Sequence, residues 1–149
     1  MMNRLLILPF VAFALSAGAA PPPRGSTITV TVTELRSAKG LLRACITSAE
    51  SDFPECRDAR GLHATSVAAH EGSVTFTFDR VAPGRYAIAL LHDENANGKA
   101  DRALGMIPKE GFGFSRDAPV RMGPPKFGDA AFELAEADKA MTIRMRYLL

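Results

Sequence analysis

Wherever this chain shows a regular pattern of apolar residues, the period is two. Ile28, Val30 and Val32 alternate with threonines between Ser26 and Leu35, and Leu42, Ala44 and Ile46 alternate with Arg43, Cys45 and Thr47. Further along, Val74, Phe76 and Phe78 alternate with Ser73, Thr75 and Thr77, and Met141, Ile143, Met145 and Tyr147 with Thr142, Arg144 and Arg146. A period of two sends successive side chains to opposite faces, so each stretch predicts a half-buried strand. Arg85 to Leu91 is apolar at nearly every position, which predicts a central strand covered on both faces. A weaker strand is expected over Leu62 to His70, and the last two strands over Ala130 to Ala135 and Ala140 to Tyr147. No stretch has a convincing helical period, so the expected fold is all-β: a seven-stranded antiparallel β-sandwich. Between Arg102 and Asp129 lies one long loop rich in Gly, Pro and Phe, expected to fold back over the sandwich edge or the polar loop that precedes it.

The N-terminus carries Arg4, an apolar run from Leu5 to Leu15 and then Ser16-Ala17-Gly18-Ala19-Ala20, the pattern of a secretory signal peptide with cleavage after Ala19. The stretch from Leu5 to Ala17 is about 13 residues, short of the roughly 20 a membrane span requires, and no later segment is apolar enough to cross a bilayer. Residues 1–19 are therefore read as the signal, 20–25 as a Pro-rich linker and 26–149 as one domain of a periplasmic or secreted protein, expected to be a monomer. A net charge of +2, with basic residues scattered singly, gives no electrostatic reason to expect nucleic acid as a partner. Export places Cys45 and Cys56, the only two cysteines, in an oxidising compartment, where a pair is more often a disulfide than a metal site. Closing so short a loop contributes roughly 2–3 kcal/mol in the chain-entropy picture.

The strand ending at Leu91 runs directly into Asp93-x-Asn95-x-Asn97-Gly98-Lys99-x-Asp101. Calcium takes 6–8 oxygen ligands, so its binding loops aim carboxylates, amide carbonyls and a backbone carbonyl at one point while turning sharply. Asp93, Asn95 and Asn97 occupy the first, third and fifth positions of such a loop, Gly98 the turn, the Lys99 carbonyl the backbone ligand and Asp101 the ninth position. Leu104 stands where a bidentate Glu is expected, and Glu110 or Asp129 could fold in as its replacement. The alternative is a polar hairpin connection, since Asn97-Gly98 alone is a strong turn signal. With two clear carboxylates, the expected calcium affinity is at the extracellular end, roughly 10⁻⁴ to 10⁻³ M. His63, His70 and His92, with Met106 and Met122, could be read as a zinc or copper set. The first two are seven residues apart and would face opposite ways on a strand, and methionines are commonly core filler.

The segments Pro-Gly-Arg-Tyr-Ala-Ile-Ala (83–89), His-Asp-Glu-Asn-Ala-Asn-Gly-Lys (92–99), Gly-Met-Ile-Pro-Lys-Glu-Gly-Phe-Gly-Phe-Ser (105–115) and Gly-Pro-Pro-Lys-Phe-Gly-Asp-Ala-Ala-Phe (123–132) together resemble the bacterial domain-of-unknown-function family 2141 (DUF2141), from about Thr27 to Tyr147. What the resemblance implies is an exported bacterial sandwich of the transthyretin-like or Cna-B-like kind, within the broad immunoglobulin/transthyretin-like group. It implies no particular activity.

There is no Gly-x-Ser-x-Gly elbow, His-Glu-x-x-His or phosphate-binding glycine loop, and paired acids such as Glu94 and Asp101 are no more than any acidic loop offers to glycoside chemistry. The expected role is a non-catalytic binding or accessory module for an unknown protein or small-molecule ligand. Phe112 and Phe114 are the candidate contact residues; their other role would be to plug the open end of the sandwich. A binding module should expose this pair and a purely structural domain should bury it. An enzyme should gather ionisable groups in a pocket.

Overall fold

The structure is a computed structural model that describes residues 24–57 and 63–149. The expected signal peptide, residues 20–23 of the linker and the first residue of the Leu62–His70 strand lie outside the described residues. Ten strands are described: β1 (Ser26–Leu35), β2 (Leu41–Thr47), β3 (His63–Ala68), β4 (Gly72–Val81), β5 (Gly84–Asp93), β6 (Arg102–Ala103), β7 (Ile107–Pro108), β8 (Gly111–Phe114), β9 (Phe132–Leu134) and β10 (Lys139–Arg144). One four-residue helix, α1 (Phe127–Ala130), precedes β9.

One sheet has the order β10-β1-β4 and the other β3-β2-β5-β8. The all-β sandwich stands, but the expected seven antiparallel strands become ten, and β1 and β10 run parallel. Three additional strands, β6, β7 and β8, come from the stretch expected to be a long loop. Ile28, Val30 and Val32 of β1 are fully buried against Leu42 and Ile46 of β2, Ile88 of β5 and Ile143 of β10, while the β1 threonines face outward.

Sheet β3-β2-β5-β8 carries a second apolar layer on its outer face. On β5, Tyr86, Ile88 and Leu90 point into the sandwich, and Ala87 and Ala89 point outward into a cluster with Cys45, Phe112, Phe114, Phe127 and Ala130. That double covering explains the unbroken apolar sequence of β5. The irregular segment after β2 closes over the cluster. Phe53 meets the rings of Phe114 and Phe127 edge-on at 5.7 and 6.0 Å, and the Cys45–Cys56 disulfide fastens the segment to β2 across a Cα separation of 6.3 Å.

β8 fits at the sheet edge because its glycines face inward. A Cβ on Gly111 would stand 2.3 Å from the Tyr147 ring, and one on Gly113 would stand 3.1 Å from Arg144 O and from Ile143. Phe112 and Phe114 consequently take the outer face. Beyond β10, Phe112 N donates to Arg146 O at 3.0 Å and Arg146 N to Phe112 O at 2.9 Å, which links the two sheets. β8 and β9 occupy successive parts of one β5 edge, pairing with residues 89–92 and 84–86. In the gap, the buried Ser115 hydroxyl accepts from Ile88 N at 2.9 Å and donates to Ala130 O at 2.6 Å, so the strand's polar backbone is satisfied there.

Candidate functional site

β5 delivers Asp93 to the outer face at the end of the strand, where the chain turns into the polar loop. The side chain is fully buried. Its Oδ1 accepts from Asn97 N at 3.0 Å, and its Oδ2 accepts from Gly98 N at 2.8 Å and from Arg43 Nε at 2.6 Å. Burial alone would raise the Asp93 carboxyl, but the Arg43 guanidinium and the two backbone N–H groups hold it below the usual carboxylate range. An ionised carboxylate offers about four acceptor positions, so three donors leave one unused. Asp93 thus organises the loop from inside whether or not a cation is present.

The rest of the loop is folded on itself. Asn95 Oδ1 accepts from Asn97 N at 3.1 Å and Asn97 Oδ1 from Lys99 N at 2.8 Å, local turns that asparagine favours. The two side-chain amides converge on one atom: Asn95 Nδ2 and Asn97 Nδ2 donate to Asp101 Oδ2 at 2.8 and 2.9 Å. Asp101 N in turn donates to Glu110 Oε2 at 3.2 Å. β7 and β8 therefore bring Glu110, of the two candidates for the missing acidic position, against the loop. Asp129 lies elsewhere, its Oδ2 accepting from Lys126 N at 3.1 Å at the start of α1.

Glu110 is only 5% exposed, and its Oε1 has no hydrogen-bond partner among the described residues. Burial, opposed by the backbone N–H groups of Asp101 and Glu94 and reinforced by the negative charges of Asp93 and Asp101, raises its carboxyl above the ordinary range. An unpaired buried carboxylate oxygen beside two further acids is costly. Glu110 also lines an open cleft of about 520 Å³, together with Arg36, Lys39, Glu94, Asn95, Asp101 and Lys109. Among the described residues, no three His, Cys, Asp or Glu side chains form a ready metal cluster. Any cation here must draw on the amides of Asn95 and Asn97 and on the Lys99 carbonyl as well as on carboxylates.

The far wall of the cleft is held by Arg36, which is ion-paired to Glu94, stacks 4.4 Å over the Tyr147 ring and donates to Lys109 O at 3.1 Å. Hydrogen bonding from Arg36, aided by the Ser37 hydroxyl and opposed by burial, holds the Glu94 carboxyl down to about 2. A depressed folded-state value means that this stabilisation is fully present above the ordinary value of 4.5 and is lost as pH falls through about 2. Glu94→Gln is accordingly expected to destabilise the protein at neutral pH, with the deficit vanishing by about pH 2. Urea midpoints of the two proteins between pH 7 and 2 check this; a deficit independent of pH would contradict it.

The other candidates disperse. His92 is fully buried, with Nε2 2.9 Å from Lys39 O and Nδ1 2.7 Å from the Tyr147 hydroxyl; because a carbonyl only accepts, Nε2 carries the proton. His63 begins β3 opposite Ile46, and His70 is exposed. Met106 and Met122 are exposed at 76% and 105%, so they are not core filler. Phe112 and Phe114, the candidate contact residues, are 9% and 6% exposed because the inward glycines of β8 turn both rings into the outer apolar layer. Sequence reasoning missed Arg43, whose diagonal position from Asp93 across β2 and β5 becomes visible only with the strand register. It also missed Gly40, which abuts the Asp93 backbone.

The family model described as "Uncharacterized protein conserved in bacteria (DUF2141)" matches residues 30–142. No curated protein and no solved structure matches the chain.

Proposed function

We propose that this chain, which belongs to the DUF2141 family, is an exported, non-catalytic accessory module of the bacterial envelope. Its sandwich is of the transthyretin-like or Cna-B-like kind, and one end loop is fastened by a calcium ion. The observation that carries the calcium reading is Glu110 Oε1, a buried carboxylate oxygen without a hydrogen-bond partner among the described residues, beside Asp101 and Asp93. A hard divalent cation would satisfy that oxygen and relieve the repulsion among the three acids. Asn95, Asn97, the Lys99 carbonyl, Asp101 and Glu110 would supply oxygens, with the remaining acceptor position of Asp93 available as a sixth. The amides now donating to Asp101 would have to turn their oxygens inward, a rotation about one terminal torsion each.

The ion would be structural, tying the end of β5 to the start of β8. The non-catalytic reading draws support from the pairing of Glu94 with Arg36 in the cleft and of Asp93 with Arg43 beside it. Burial of Phe112 and Phe114 favours packing over ligand contact for that pair, so partner recognition belongs to another surface.

Calcium titration calorimetry on the folded protein tests this reading. One site with a Kd of roughly 10⁻⁴ to 10⁻³ M is expected. A protein that takes up no calcium in the millimolar range contradicts it.

A further inference from the structure

The β6–β7 hairpin ends in apolar side chains that nothing in the described chain covers. Leu104 is 91% exposed, and the neighbouring Met106 and Ile107 are exposed as well. Among the described residues the two strands pair only with each other, Arg102 with Pro108 and Ala103 with Ile107, and the chain reverses through Leu104 and Gly105 at φ values of 52° and 74°. A Cβ added to Gly105 would meet nothing within 4 Å, so the tip stands clear of the domain. Its base is closed by Lys109 N donating to Asp101 O at 3.0 Å, and its tip turn by Met106 N donating to Ala103 O at 3.1 Å.

Between the flanking acids Asp101 and Glu110, the hairpin itself carries charge of one sign. Residues 102–109 contain Arg102 and Lys109 and no acid, and both side chains are exposed without an ion-pair partner among the described residues. Lys39 lines the cleft together with Lys109 and is likewise unpaired among the described residues. A narrow convex apolar tip finds little area on the rigid surface of another globular protein. A bilayer interface closes around such a shape, and basic residues behind an apolar tip match anionic headgroups lying outside acyl chains.

We propose that the β6–β7 hairpin docks the protein peripherally on an anionic phospholipid surface. Leu104, Met106 and Ile107 enter the boundary of the acyl region, and Arg102 and Lys109 meet headgroup phosphates. Docking of this kind needs no spanning segment; no helix among the described residues is long and apolar enough to cross a membrane. The tip and its basic rim exist without a bound ion, so the proposal does not rest on the calcium reading.

The chain contains no tryptophan, so Leu104→Trp places a single reporter at the tip of the otherwise intact protein. With protein-free vesicles of phosphatidylglycerol and phosphatidylethanolamine, its emission is expected to shift to the blue and to be quenched by lipids brominated on the acyl chain. Adding Arg102→Glu and Lys109→Glu is expected to weaken the vesicle affinity by at least about tenfold, since each basic residue near an anionic surface contributes about 1 kcal/mol. Unchanged emission overturns the proposal, including where the protein sediments with vesicles through another part of the chain. So does a shift of equal affinity in the charge-reversed variant or with pure phosphatidylcholine, or a shift produced by a soluble protein and by no vesicle. Repeating the titration in chelator keeps the two readings apart: the shift is expected to persist there even if no calcium binds.

Discussion

Gly40→Ala is expected to lower the free energy of unfolding by about 3 kcal/mol, combining left-handed backbone strain with overpacking against atoms that cannot yield. Gly40 sits at φ +67°, and a Cβ there would stand 2.0 Å from Asp93 O and 2.7 Å from the Glu94 backbone. Those are main-chain atoms at the mouth of the polar loop, fixed by β5 on one side and by the Asp93 hydrogen bonds on the other. Gly105 serves as the control, because its φ of +74° is comparable but no atom lies within 4 Å. Gly105→Ala should carry the backbone strain alone, about 1 kcal/mol. Urea denaturation with an unchanged slope measures both. Equal effects at the two glycines would mean that the close approach of the β1–β2 turn to Asp93 does not constrain the fold.

Arg43→Leu is expected to cost about 3 kcal/mol at neutral pH, because it leaves the fully buried Asp93 carboxylate without its counter-charge. The penalty should shrink in acid, where Asp93 can take up a proton. It should also shrink in the background of Asp93→Asn, where no charge remains to be stranded, so the two substitutions together should cost less than the sum of their separate effects. Strict additivity in this double-mutant cycle would show that the pair is only incidental surface chemistry. The same geometry makes Asp93 a poor probe of metal binding. Replacing it by alanine strands Arg43 and the N–H groups of Asn97 and Gly98, so loss of a calcium response there could follow from loss of the loop itself.

Much of the sandwich is readable from alternation alone. β1 and β2 fall where the period of two places them, the all-apolar β5 is the doubly covered strand, and the two cysteines pair. Alternation reports which face a residue takes and says nothing about which strand lies alongside, so the parallel pairing of β1 with β10 was not legible. β8 escaped notice for a related reason. Gly111-Phe112-Gly113-Phe114 alternates, but between apolar and absent side chains rather than apolar and polar ones, so it reads as loop chemistry. Its direction is set by a tertiary fact, the closeness of Tyr147, Ile143 and Met145 to the inward glycines. That contact drives the two phenylalanines outward, beneath Phe53 and Phe127, which arrive from distant parts of the chain.

The polar loop was legible in its oxygen spacing, and Glu110 was one of two residues expected to complete it. What the sequence could not supply was the choice between Glu110 and Asp129. That choice depends on β8 pairing with β5 in a register that sets Gly111 opposite His92, and so carries Glu110 to the level of Asp93. Asp129 is committed to the first turn of α1.

Thermal or urea unfolding of the native protein and of Glu110→Gln, each in chelator and in 10 mM calcium, tests most directly the proposed role of Glu110 as an oxygen ligand held for a divalent cation. For a site of the affinity expected here, calcium should stabilise the native protein by roughly 1.5–3 kcal/mol through mass action. Glu110→Gln, which removes the buried charge, should be at least as stable as the native protein in chelator and should lose most of the calcium increment. A calcium increment of the same size in both proteins, or in neither, would contradict that role.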